Sequence, residues 1–242
     1  MNIEEFLKYE RNRLFILDLD DTLIPTCYLY ERAVLLFQEF LLKKVGIEPI
    51  IHLLDVLKKE GEIDYENRKK FGYSLERFPT SLVETFTDVC DSVKVSYTEK
   101  DKKLVYGIGK MAFKFTPKLC EGAEELLILL KKRGDTLYLW TVGPYELQMD
   151  KINKNNLERF RFFNKIFPVR DKTKQDLEKM VENSSVDRSK ACVVGDNYGK
   201  EVDLGIELGL FAVRFHVYDR KPEEKVLYVP NAKEFLNYLK SL

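Results

Sequence analysis

The sequence predicts an α/β protein: a parallel sheet with helices on both faces, and a helical segment inserted after the first strand. Three observations carry that expectation. From Pro117 onward, short apolar runs alternate with amphipathic stretches. A single apolar run, Leu14-Phe15-Ile16-Leu17, stands alone far upstream. The roughly 90 residues between them show helical rather than strand spacing. Strands separated by helices pair in parallel rather than as tight hairpins. Ligands of such sheets bind at the carboxyl ends of the strands, so every polar residue at a strand tip is a candidate.

Arg13 to Leu19 reads as a buried strand, an apolar run closing on acidic residues. Tyr28 to Val45 reads as a helix, with Leu29, Ala33, Leu36, Phe37, Phe40 and Leu41 at helical spacing. Ile50 to Leu57 and Leu82 to Val89 are similar, punctuated by Glu60-Gly61 and Phe78-Pro79. Glu121 to Arg133 is an amphipathic helix stopped by Gly134. Strand Thr136 to Thr141, helix Tyr145 to Asn156, strand Lys165 to Val169 and helix Thr173 to Glu182 follow. Next come strand Ala191 to Gly195, helix Lys200 to Leu208, and strands Phe211 to Phe215 and Val226 to Val229. Ala232 to Leu239 is a final helix.

At 242 residues the chain is long enough to bury a substantial core. Its 40 Lys and Arg balance its 40 Asp and Glu, so no general footprint for nucleic acid or a membrane surface is expected. No apolar run approaches the ~20 residues of a membrane-spanning helix. The acidic start, Met1-Asn2-Ile3-Glu4-Glu5, lacks the basic region of a secretory signal. The cysteines, Cys27, Cys90, Cys120 and Cys192, form no C-x-x-C pair. Scattered thiols of this kind fit a reducing, cytoplasmic setting better than a zinc site or a disulfide framework.

The first strand tip is Asp18-Leu19-Asp20-Asp21-Thr22. Asp18 and Asp20 lie two apart, so an extended strand end points both to one side. Clustered carboxylates repel each other unless a cation intervenes, and a hard divalent cation takes such oxygen ligands. The plainer reading is a turn that caps a helix start. The second tip, Thr141-Val142-Gly143, offers a hydroxyl and backbone amides to a phosphate oxygen, or simply a helix N-cap. The third, Arg170-Asp171-Lys172-Thr173-Lys174, offers a lysine to a transferring phosphoryl group, although lysines are most often plain surface. The fourth is Gly195-Asp196, with Glu201 shortly after. Gly195 lets the backbone approach closely, and Asp196 sets another carboxylate at a tip. Acids, a hydroxyl, a lysine and a further acid together describe a phosphoryl-transfer site with a metal.

These tips, in this order, resemble the four motifs of the haloacid dehalogenase-like (HAD) hydrolase superfamily. The D-x-D-x-T motif stands as Asp18-Leu19-Asp20-Asp21-Thr22, the strand-ending hydroxyl as Thr141, and the lysine ahead of a helix as Lys172, with Lys174 the alternative. The G-D motif stands as Gly195-Asp196, followed by Glu201 where an aspartate is commoner. The resemblance implies a Rossmann-like core, residues 1–25 and 116–242, and a helical cap domain, residues 26–115, that closes over the site and selects substrate.

It further implies a magnesium-dependent phosphatase acting on a small-molecule phosphorylated substrate. Asp18 would be the nucleophile and Asp20 the general acid and then base. Thr141, Val142, Gly143 and Lys172 would bind the phosphoryl group. Asp18, the backbone carbonyl of Asp20, and Asp196 would hold Mg2+, with Glu201 a more distant or water-mediated ligand. True dehalogenases of the superfamily lack an acid at the position of Asp20, so Asp20 speaks for a phosphatase. A phosphomutase with the same aspartyl-phosphate, or an inactive regulatory protein of the same fold, are the alternatives.

Other features have simpler readings. His52 and His216 are too far apart to suggest a shared site. Cys27 reads as a buried thiol, and Tyr138 and Trp140 as core. Tyr65-Glu66-Asn67-Arg68 and the stretch from Tyr73 to Arg77 read as solvated helix faces before they read as a substrate surface.

Overall fold

The computed structural model describes residues 1–9, 11–46, 52–215 and 223–242, with every side chain there except that of Tyr198. The chain divides into two compact units, one of Met1–Pro25 with Pro117–Leu242 and one of Thr26–Thr116. The first unit opens with helix α1 (Ile3–Tyr9) and strand β1 (Leu14–Leu17). The second unit follows as four helices, α2 (Cys27–Val45), α3 (Leu53–Phe71), α4 (Arg77–Ser92) and α5 (Glu99–Lys110). The first unit then resumes with α6 (Ala123–Lys132), β2 (Thr136–Val142), α7 (Tyr145–Lys154), β3 (Lys165–Val169), α8 (Lys174–Glu182) and β4 (Ala191–Gly195). It ends with α9 (Asp203–Glu207), β5 (Phe211–Phe215), β6 (Val226–Val229) and α10 (Ala232–Ser241).

The six strands form one all-parallel sheet in the order β3-β2-β1-β4-β5-β6. Strand β1 lies between β2 and β4, with Leu17 opposite Leu139 on one side and Val194 on the other. Alternate residues feed two cores. Phe15, Leu17, Leu137, Leu139 and Val194 pack with Phe6, Leu126, Leu130 and Phe235. Leu14, Ile16, Trp140 and Val193 pack with Leu177, Met180 and Val202 on the other face. Covering on both faces is why β1 and β4 read as unbroken apolar runs.

At the amino ends of β1 and β2 a fully buried ion pair joins the strands. The Arg13 Nε donates to Asp135 Oδ1 at 3.0 Å and a terminal nitrogen donates to Oδ2 at 2.8 Å. The other terminal nitrogen reaches the Leu7 carbonyl at 3.1 Å, which fastens α1 to the sheet.

The helical unit has its own core, in which Phe37, Leu41, Leu82, Phe86 and Val105 are fully buried. Here the expected punctuation does not hold. Helix α3 runs straight through Glu60-Gly61. An exposed helical glycine costs only about 1 kcal/mol, and nothing crowds Gly61. Pro79 lies in the first turn of α4, where its missing N–H has no helical partner to lose. Ile50 and Ile51, expected in a helix, and His216 lie outside the described residues. The expected helix from Lys200 to Leu208 is a π-helical turn, Tyr198–Val202, followed by the short α9. Cys27 is exposed rather than buried, and none of the four cysteines is in a disulfide. Asn67 and Arg77 are buried within the helical unit, bonded to Ser81 and Asp64 respectively, so neither lies on a solvated face. Among the described residues no helix is long and apolar enough to cross a membrane.

Candidate functional site

The carboxyl ends of β1, β2 and β4 and the loop after β3 bring four chain segments together. Asp18 follows β1, and its amide donates to the Val194 carbonyl at 2.9 Å, continuing the ladder to β4. Its side chain is buried, and the buried Lys172 ammonium donates to Asp18 Oδ1 and to Glu201 Oε1. Thr22 donates to the second Asp18 oxygen at 3.4 Å. Lys172 directly precedes Thr173, the N-cap of α8, and its ammonium stands 5.4 Å from the Trp140 ring centroid. Trp140 is thus core, as its burial predicts, and also one wall for the lysine. Lys174 is exposed and pairs with Glu207, which leaves Lys172 as the lysine of the site.

Glu201 sits in the π-helical turn and packs on Gly195. A Cβ at Gly195 would stand 2.7 Å from the Glu201 Cγ, so only glycine admits the carboxylate there. Its Oε2 is buried with no hydrogen-bond partner, as is the hydroxyl of Thr141 at the end of β2.

The charges do not balance. Burial pushes Asp18 well above the ordinary carboxylate range; Lys172 offsets part of this, while Glu201 and Asp196 add to it. Burial, with Glu201 and Asp21, raises Asp196 to about 6. Burial works against the Lys172 ammonium, yet Asp18 and Glu201 outweigh it and hold its pKa above that of an ordinary lysine. Two causes set these directions: burial, and three carboxylates facing one ammonium.

Asp20 is held elsewhere. Lys151 on α7 reaches both Asp20 oxygens, at 2.7 and 2.8 Å. The Gln148 amide donates to Asp20 Oδ2 at 3.0 Å and to the Val142 carbonyl at 2.7 Å. The site therefore joins Asp18, Lys172, Glu201 and the charge of Asp196, whereas the Asp20 carboxylate turns to Lys151. Among the described residues no three His, Cys, Asp or Glu side chains converge as metal ligands. Gly143 also differs from expectation. Its amide donates to the Val169 carbonyl at 3.0 Å, extending the ladder between β2 and β3, and so is committed. The adjacent Val142 is half-buried and gives its carbonyl to Gln148.

Lys151 and Gln148 are not legible in the sequence as partners of Asp20. They lie 131 and 128 residues from Asp20 in sequence. The one signal is a polar pair three apart on a helix face that also buries Ile152.

The helical unit has a separate cleft of about 600 Å3, lined in part by Tyr30, Leu57, Glu60, Asp64, Arg77 and Phe78. Burial and the nearby Asp64 raise Glu60 to about 7, with Arg77 opposing.

No protein-family model matches the chain, and no curated protein sequence does. Solved structures do. A haloacid dehalogenase-like family hydrolase from Xanthomonas campestris superposes with a TM-score of 0.76 at 18% identity, over 97% of this chain and 93% of that one. The HAD-hydrolase YfnB from Bacillus subtilis, solved bound to magnesium, gives 0.63 at 18%, over 95% and 99%. A protein from Thermotoga maritima assigned as a β-phosphoglucomutase gives 0.63 at 18%, over 95% and 99%. Haloacid dehalogenases also match. At these identities the likeness establishes the fold: the chain has the fold of HAD-like hydrolases, an α/β Rossmann-like core with a helical segment after the first strand.

Proposed function

We propose that this HAD-fold chain is a cytoplasmic, Mg2+-dependent phosphatase that hydrolyses a small-molecule phosphomonoester through an aspartyl-phosphate. The observation that carries the reading is the buried, charge-deficient cluster of Asp18, Lys172, Glu201 and Asp196 beside the unpartnered Thr141 hydroxyl.

The donor set suits Mg2+. Buried carboxylates whose pKa values are raised by burial and by neighbouring carboxylates, and an orphaned Glu201 oxygen, describe a place that favours a hard cation. Asp18, the Asp20 carbonyl and Asp196 would hold it, with Glu201 behind them. When bound, the ion supplies positive charge that neutralises Asp18 and the phosphoryl oxygens.

An Asp18 carboxylate oxygen attacks phosphorus, and the bond from phosphorus to the leaving oxygen breaks. Asp20 gives its proton to that oxygen, releasing the alcohol. Asp20, now a carboxylate, takes a proton from water as the water oxygen attacks phosphorus. The bond from Asp18 to phosphorus breaks, and inorganic phosphate and free Asp18 result. Lys172 stabilises negative charge on the phosphoryl group, and the Thr141 hydroxyl donates to one of its oxygens.

The presence of Asp20 favours this reading over dehalogenation, because a departing halide takes no proton. The test is p-nitrophenyl phosphate turnover with Mg2+ and after EDTA, run beside 2-chloropropionate. Phosphate release that needs Mg2+, with no chloride release, is expected. Chloride release without phosphatase activity overturns the reading.

A further inference from the structure

Proton transfer to and from Asp20 depends on where its carboxylate stands, and that is set by two α7 side chains. We propose that Lys151 and Gln148 are positioning residues, a two-armed clamp that fixes the Asp20 carboxylate and ties it to the end of β2. The inference rests on the phosphatase reading and deepens it.

Lysine and glutamine are seldom buried without a partner. Here Lys151 is 8% exposed and Gln148 2%, three positions apart and therefore on one face of α7. The Lys151 ammonium bonds both Asp20 oxygens, which fixes the plane of the carboxylate as well as its place. The Gln148 amide nitrogen divides its two hydrogens between Asp20 Oδ2 and the Val142 carbonyl. One side chain thus spans the tips of β1 and β2, next to Thr141. The backbone makes room for it. Gly143 has φ +147°, and a Cβ there would collide with the Gln148 amide nitrogen, so a glycine at that turn is what lets the clamp close. The Asp20 side chain remains 27% exposed, leaving the carboxylate accessible while Lys151 and Gln148 hold it.

A brace that merely stabilises the fold would affect all substrates alike. A clamp on the proton donor discriminates by leaving group. p-Nitrophenolate departs with little need of a proton, whereas an alkoxide needs one. The discriminating quantity is kcat/KM, which covers the path to the aspartyl-phosphate, for p-nitrophenyl phosphate against an alkyl phosphate. General acid catalysis is worth about 10²–10⁴-fold. Lys151→Met is expected to lose roughly 10- to 100-fold with the alkyl phosphate, and less than about threefold with p-nitrophenyl phosphate. Gln148→Leu should show the same split with smaller loss. On an Asp20→Asn background Lys151→Met should cost nothing further, and Lys151→Arg should restore part of the alkyl phosphate rate.

Equal losses with both leaving groups, or full additivity with Asp20→Asn, overturn the clamp and leave the phosphatase reading intact. No wild-type turnover of either substrate with Mg2+ overturns both. A measurement on the metal-free wild-type chain needs no Lys151 variant. The Lys151 ammonium should give a slowly exchanging 15N–1H signal that disappears in Asp20→Asn. Its persistence in Asp20→Asn overturns the proposal.

Discussion

Two groups of buried charges occupy opposite ends of the same strands, and they are built to different rules. At the amino ends Arg13 and Asp135 meet one for one, with two parallel bonds, and a further Arg13 nitrogen reaches a backbone carbonyl. At the carboxyl ends Asp18, Asp196 and Glu201 face the single ammonium of Lys172. There a carboxylate oxygen of Glu201 and the hydroxyl of Thr141 are buried without partners. A complete ion pair fixes structure. An incomplete cluster costs folding free energy, which on the proposed phosphatase reading a cation or phosphorylated ligand would offset.

The comparison is broken most severely by Asp18→Asn. Turnover should fall by about 10⁴-fold or more, while the chain stays folded and melts no lower, because a repelled buried carboxylate has gone. A steady-state assay with a thermal melt checks both halves. Retention of near-native turnover would remove Asp18 as nucleophile.

Arg13→Met tests the other end. It leaves Asp135 buried and unpaired, at a cost of about 3–5 kcal/mol in urea unfolding, with the specific activity of the folded fraction unchanged. Adding Asp135→Leu should recover much of the loss, since apolar replacement of a whole buried pair is often neutral. If the double variant is no better than the single one, the pair is more than a local balance.

Acidity sharpens the contrast. A carboxyl whose folded pKa exceeds its unfolded value holds its proton better in the folded chain, so stability rises as pH falls toward that pKa. Burial pushes Asp196 up to about 6, and Asp18 well above the ordinary carboxylate range. The metal-free chain should therefore melt higher at pH 5 than at pH 7 through these groups, and Asp196→Asn should shrink that difference. Mg2+ at pH 7 should raise the melting temperature too, by filling the same deficit. A melting temperature that ignores both pH and Mg2+ would mean the upper cluster is balanced after all.

The smallest expected effect is Thr141→Val. The shape is kept and an unpartnered buried hydroxyl is removed, so stability should hold or rise by roughly 1 kcal/mol. The kcat/KM for p-nitrophenyl phosphate should drop about tenfold, the scale of one lost hydrogen bond to a charged group. A variant with unchanged kcat/KM would place the phosphoryl group away from Thr141.

The two ends were not equally legible in the sequence. The strands declared themselves because both faces of the sheet are covered, as the runs Leu14–Leu17 and Ala191–Gly195 show. Asp18, Thr141, Lys172 and Asp196 could be picked out because each lies at or just beyond a strand. Partnerships could not. Nothing local pairs Arg13 with Asp135, Asp20 with Lys151, or the Gly143 amide with Val169, since those bonds depend on which strands lie side by side. The part of helix α3 beyond Leu57 escaped for a different reason: only Val56 and Asn67 along the helix are buried, so its apolar spacing is faint. Helix α1 has the spacing, in Ile3, Phe6 and Leu7, but only seven residues to display it.

The place of β1 in the sheet also bears on how the chain is made. Leu14 pairs with Thr136 and with Ala191, so the strand made first waits longest, until β4 is made, to be flanked on both sides. At translation rates of about 5–20 residues per second, the interval between synthesis of β1 and of β4 is roughly 10–35 s. The helical unit, drawn from one uninterrupted stretch, Thr26–Thr116, is synthesised within that interval. A nascent chain would thus carry a structured helical unit alongside a waiting apolar strand, which makes Leu14–Leu17 the segment most in need of shelter during synthesis.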